Sequence, residues 1–198
     1  NPNFKQTTPY SALEIACKHG HFESLQLLAS HTPIPSNKAS ELIALGLNHT
    51  FCIKIVGLLD KSGIDFTYQD KYGNFLIHLS TKQASTEFLD FWIAKKQHLE
   101  LRSKQNWLPI HNAASYNNIV FVKKWLSLRP QDTSGQDVFN RTPLFLSTKG
   151  AFFETTAFLY KHSKSEAQQK DINETSHYDL AQQKMYTNII DLFNQEKP

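Results

Sequence analysis

Glycine appears seven times and cysteine twice among 198 residues, and each shortage closes off a class of function. So little glycine leaves scant material for a phosphate-cradling loop, and neither a Gly-rich phosphate motif nor Gly-x-Ser-x-Gly occurs in the chain. Cys17 and Cys52 form no Cys-x-x-Cys pair, and His-Glu-x-x-His is missing too. With fourteen phenylalanines and three tryptophans to pack, the fold needs no disulfide staples, and a reducing, cytoplasmic compartment fits best. No apolar run approaches the roughly 20 residues of a membrane span. A net charge of +3, from 21 basic and 18 acidic residues, falls short of the balance expected of a dedicated nucleic-acid domain. The expectation is therefore of no catalytic residue, no cofactor, no metal and no membrane, nucleic-acid or small-molecule partner. The opening Asn1-Pro2-Asn3 has neither a basic nor an apolar leader region, so the chain reads as excised from a longer parent.

What is present is a period. Asp70-Lys-Tyr-Gly73-Asn-Phe-Leu-Ile-His78, Ser103-Lys-Gln-Asn106-Trp-Leu-Pro109-Ile-His111 and Asp137-Val-Phe-Asn140-Arg-Thr142-Pro143-Leu144-Phe145 align, each followed by an apolar segment containing Phe88 and Trp92, Phe121 and Trp125, or Phe158 and Leu159. His78, His111 and Phe145 stand 33 and 34 residues apart, and another 34 residues reach Asp179. Upstream, Ser11 to Leu25 carries the same layout around Glu14, Ala16, Cys17, Gly20 and His21. Period, turn, proline and small-residue pair recur in register, which resembles the ankyrin-repeat family.

That resemblance implies an all-α solenoid of about six stacked helix-turn-helix units with short hairpin-like turns, forming one domain over residues 1–198. The units fall at about 6–35, 36–66, 70–102, 103–136, 137–170 and 171–198. The second lacks the family's opening motif and reads as degenerate, with a helix expected from Glu41 to Leu47. The last reads as a cap. Isolated helices below about 12 to 15 residues are marginal in water, so stacking must stabilise them. Small residues at Ala16, Ser80, Ala113, Ser147 and Ala181 would let first helices approach, while Phe88, Trp92, Phe121, Trp125 and Phe158 would fill the layer between second helices. Pro109 and Pro143 suit a first helical turn, with Thr142 as N-cap.

Nine histidines invite a catalytic interpretation. The repeat frame instead gives His78 and His111 the family's structural role of bonding neighbouring backbone, and gives Cys17 a packing position. His19 and His21 lie close to Cys17 in sequence, but no orienting residue or oxyanion motif accompanies them.

Ankyrin-like proteins bind partners through turn tips and the exposed face of the first helices. The frame assigns to that face Lys71, Tyr72, Asn74, Lys104, Trp107, Val138, Phe139, Arg141 and Ile172 at the turns, with Lys82, Gln83, Tyr116, Lys149 and Gln183 on the helices. Basic and aromatic residues recur in this set, while aspartate and glutamate do not appear. The expected partner is another protein, presenting an acidic and partly apolar segment to a groove centred on Trp107. An alternative is a substrate-targeting or regulatory repeat domain of a larger enzyme whose catalytic domain lies elsewhere. Richness in Lys, Asn, Gln, Ile and Phe, with eroded motif spelling, also resembles ankyrin proteins that intracellular bacterial pathogens inject into hosts. In that setting the partner is a host protein and the compartment host cytosol.

Overall fold

The structure is a computed structural model that describes residues 9–47, 52–60, 63–82, 87–95, 99–163 and 169–195. Among these residues β pairing is confined to isolated bridges such as Lys170–Ser176, and the remaining regular structure is helical. No helix among them is long and apolar enough to cross a membrane. Gln83 lies outside the described residues. The chain divides into two compact units, Asn1–Asp70 and Lys71–Pro198.

The first unit holds two helix pairs, α1 (Pro9–His19) with α2 (Phe22–His31) and α3 (Ser36–Gly46) with α4 (Cys52–Leu59). Helix α1 packs on α3 and α2 on α4. Leu13, Leu25, Leu42, Ile55 and Leu59 are fully buried there. The degenerate repeat thus keeps its helix pair. Its first helix starts at Ser36, five residues before the expected Glu41, because Pro35 sits at the N-cap with extended backbone and its carbonyl accepts the Ala39 N–H at 2.9 Å. Gly46 leaves room for the buried Ile55, whose Cδ1 would lie 2.7 Å from a Cβ at that position.

The second unit holds four pairs: α5 (Leu76–Ser80) with α6 (Glu87–Lys95), α7 (Pro109–Ser115) with α8 (Ile119–Leu128), α9 (Pro143–Lys149) with α10 (Phe153–His162), and α11 (His177–Gln183) with α12 (Thr187–Gln195). First helices pack on first helices, α5 on α7 on α9 on α11, while α8, α10 and α12 stack in a second layer. The 3-10 turn Pro130–Ser134 packs against α8, α9 and α10.

Local chemistry explains why four of the pairs fold back at the same place. Asn117, Ala151 and Met185 adopt φ of 58°, 57° and 57°, and the next residue returns a hydrogen bond into the helix just left: Asn118 N to Ala113 O at 2.9 Å, Phe152 N to Ser147 O at 3.1 Å, Tyr186 N to Ala181 O at 3.0 Å. This is a left-handed C-terminal cap that frees the chain to reverse. Gly20 and the His21 N to Ala16 O bond do the same after α1.

The small residues sit where the periodicity places them, with Ala16, Ser80, Ala113, Ser147 and Ala181 all buried between first helices. Phe88, Trp92, Phe121 and Trp125 are buried as expected, but Phe158 is only half-buried. Its ring lies against His162, with centroids 4.2 Å apart, and beneath Lys123, while Leu159 takes the interior position.

Candidate functional site

The turns that open each pair in the second unit share one construction. A left-handed residue recurs at Gly73, Asn106, Asn140 and Glu174, with φ between 58° and 77°. In the last three, the backbone closes the same loop: Ser103 N to Trp107 O, Asp137 N to Arg141 O and Asp171 N to Thr175 O, each at 3.0 Å. A side-chain oxygen at the first position accepts two further backbone N–H groups. Ser103 Oγ accepts from Gln105 and Trp107, Asp137 Oδ1 from Phe139 and Arg141, and Asp171 Oδ1 from Asn173 and Thr175. Successive tips are then tied together, Val138 N to Gln105 O and Ile172 N to Phe139 O, both at 3.1 Å.

Two of these turns are also tied to the helix before them. His78 Nε2 donates to Trp107 O at 2.7 Å, and His111 Nε2 donates to Gly135 O at 3.0 Å while its Nδ1 accepts the Leu108 N–H. Both imidazoles are fully buried. Burial holds His111 down at about 4, against a smaller opposing pull from the Gly135 carbonyl and the Asp137 charge. The structural role inferred for both histidines is therefore the one they fill.

Trp107 departs from its expected place. It is half-buried, its ring stacks near His111 with centroids 6.3 Å apart, and its Nε1 donates to Asp137 Oδ2 at 2.9 Å. The indole thus acts as a strut between neighbouring turns. Arg141 meets the same carboxylate through Nε at 2.8 Å and Nη2 at 2.6 Å. Although burial opposes ionisation of Asp137, bonds from the Arg141 side chain and backbone, Trp107 and Phe139 outweigh it and hold its pKa below the ordinary carboxylate value.

The other assigned residues fall into exposed clusters. Tyr72 is 64% exposed with Lys71 Nζ 4.9 Å from its ring centroid, and Tyr116 is 49% exposed with Lys82 Nζ 5.2 Å from its centroid. The Lys104 stem lies over Gly73, where a Cβ would meet it at 2.4 Å. Asn74 is half-buried. Phe139 is exposed, with the Arg141 guanidinium 4.6 Å from its ring centroid. Arg141, Phe139 and Lys149 come together in a shallow cleft of about 280 Å³, with Phe145 and Leu180 as apolar lining and Asn173, Thr175 and Gln183 as polar wall. Lys71, Lys82, Lys104 and Lys149 make no ion pair among the described residues.

The face is not free of acid, as the repeat frame had it. Asp171 lines the cleft, Asp137 neutralises Arg141 from beneath, and Glu174 stands exposed at the last turn, near Lys170 at 3.7 Å. Counting 34 residues on from Asn140 would have found Glu174. Cys17, in the first unit, is fully buried, and burial pushes its thiol up to about 12, far from a nucleophilic thiolate at neutral pH. Neither a known protein family nor a curated protein matches this sequence.

Proposed function

We propose that the chain is an ankyrin-repeat solenoid whose turn tips and first-helix face bind another protein. The observation that carries this reading is a row of turns, three of them built alike and bonded tip to tip, that exposes Val138, Phe139 and Ile172, together with exposed Tyr72 and Tyr116 beside Lys71 and Lys82, which have no carboxylate partner among the described residues. Folding alone gives no reason to expose large apolar side chains at successive tips; exposed aromatic and aliphatic groups beside cations are the composition of binding hot spots. The lysines steer an acidic partner and the apolar tips slow its release. Cys17 and Cys52 are both buried and form no disulfide with each other, which suits a reducing compartment. In the bacterial-effector setting that composition suggests, the partner is a host protein.

Trp107 and Arg141 are poor probes of this idea, because their removal would disturb the turns themselves. Tyr116→Ala and Lys149→Glu change exposed side chains instead. Affinity capture from a cell lysate should retain a specific protein on the native chain and lose it on the double variant, with both proteins showing the same thermal midpoint. Retention of every captured protein by the folded double variant would overturn the reading.

A further inference from the structure

The turn position two residues before the left-handed one holds, in chain order, Lys71, Lys104, Val138 and Ile172. Because α5, α7, α9 and α11 pack in that same order, the row changes character along the stack, with two lysines at one end and two branched aliphatics at the other. The charges follow the same division. At the first end the lysines have no carboxylate partner among the described residues, and Lys82 over Tyr116 adds a third cation. At the second end Asp137 cancels Arg141, and the acidic Asp171 shares the cleft with Lys149.

We propose that this face takes a single extended peptide lying along the stack, with carboxylates over Lys71 and Lys104 and a bulky apolar side chain against Val138, Phe139 and Ile172. The inference rests on the reading of this face as a protein-binding surface, and goes on to fix the order of chemistry within the partner. Helices stacked at about 8–10 Å put four tips across about 30 Å. An extended chain rising about 3.3 Å per residue covers that in about nine residues. Charge complementarity selects the acidic end, and the exposed aliphatic pair, sitting beside a net-neutral cleft, selects the apolar end. A peptide with acids and apolar groups interleaved would lay half of each on the wrong surface.

The test is selection of a displayed library of random twelve-residue peptides on the intact chain, followed by sequencing of the enriched pool. The expected pool has Asp and Glu clustered in one half and Leu, Ile, Phe or Trp in the other. Selection on Lys71→Glu with Lys104→Glu should lower enrichment of the acidic half at least tenfold while the apolar half persists. Val138→Ser with Ile172→Ser should do the reverse. All four side chains are exposed, and circular dichroism matching the native chain confirms that each variant is folded. The order found on the unmutated chain is decisive even without the variants. Enriched peptides with the two classes intermixed would overturn this inference and leave the protein-binding reading intact. A pool with no enrichment, or a chain that binds single-stranded RNA and no peptide, would overturn that reading as well.

Discussion

At the scale of single residues, Asp137 is the group on which the face depends. Its side chain is fully buried and accepts from Trp107, from the Arg141 guanidinium and from two backbone N–H groups. Asp137→Ala would strand the largely buried Arg141 charge and both N–H groups, and should lower stability by about 3 kcal/mol, read as a shift in the urea midpoint. Trp107→Phe keeps an aromatic ring but removes the indole donor and part of the ring volume, so its cost should be about 1–2 kcal/mol. A Trp107→Phe loss equal to that of Asp137→Ala would show that ring volume, not the bond, is what matters there. Two buried imidazoles set the pH response. Burial lowers both His111 and His177 from 6.5 to about 4, and each is opposed by a nearby aspartate. The unfolded chain therefore binds more protons than the folded one between those values. The stabilisation is complete above about pH 6.5 and shrinks as pH falls towards 4, by about 3 kcal/mol for each histidine. Asp137, whose folded pKa is lowered, adds a further loss only below the ordinary carboxylate range. The thermal midpoint should thus fall between pH 7 and pH 4.5, and His111→Gln should flatten that fall by about half. Equal midpoints at the two pH values would refute the assignment.

At the scale of elements, the reversals between helices set the register of everything they join. Ala151 occupies the left-handed region at φ 57°, its side chain exposed, where an L residue carries a strain that glycine lacks. Ala151→Gly should therefore raise stability by about 1 kcal/mol in urea denaturation, against the usual penalty for glycine. A loss of stability would mean that the turn tolerates its Cβ without strain. What was legible in the sequence was whatever repeats locally. The small residues, the prolines at the first helical turn, Thr142 accepting the Phe145 N–H and the histidines bonding backbone all follow from a motif spanning a few positions. Trp107 was not legible in this way. Its partner lies 30 residues on, and which turn residue faces which depends on the stacking register, not on the spelling of either turn. The charge of the face escaped for a related reason. Arg141 counts as a cation in the sequence, but the folded turn places Asp137 under it and takes the charge out of play. The exposed aliphatics Val138 and Ile172 lay within consecutive assigned turns, but which tip residues bond to which depends on the stacking register.

At the scale of the molecule, the two units differ in how much they can support. A repeat buries its apolar face only against a neighbour, so an array needs about three repeats before stacking outweighs the entropy of ordering the chain. The first unit has two helix pairs and the second has four. The first is tied pair to pair by the Lys38–Glu14 ion pair, while the second has a longer series of such ties: the histidine-to-carbonyl bonds, the tip-to-tip backbone bonds, Asn118 Nδ2 donating to Thr81 O at 2.8 Å, and Thr155 Oγ1 donating to Asn117 Oδ1 at 2.8 Å. Each of these links residues at least 24 positions apart, so each is lost when neighbouring pairs separate, and that makes unfolding cooperative. Residues 71–198 expressed alone should accordingly fold, giving a helical circular dichroism spectrum and a single urea transition. Residues 1–70 alone should give a weak helical signal and no cooperative transition, because each of its two pairs has a single neighbour to pack against. The same partition should be visible in the intact chain as slower amide exchange in α7, α9 and α11 than in α2 and α4. An independently folded 1–70 fragment, or uniform exchange protection across both units, would show that two pairs suffice and that the cross-pair bonds of the second unit add little.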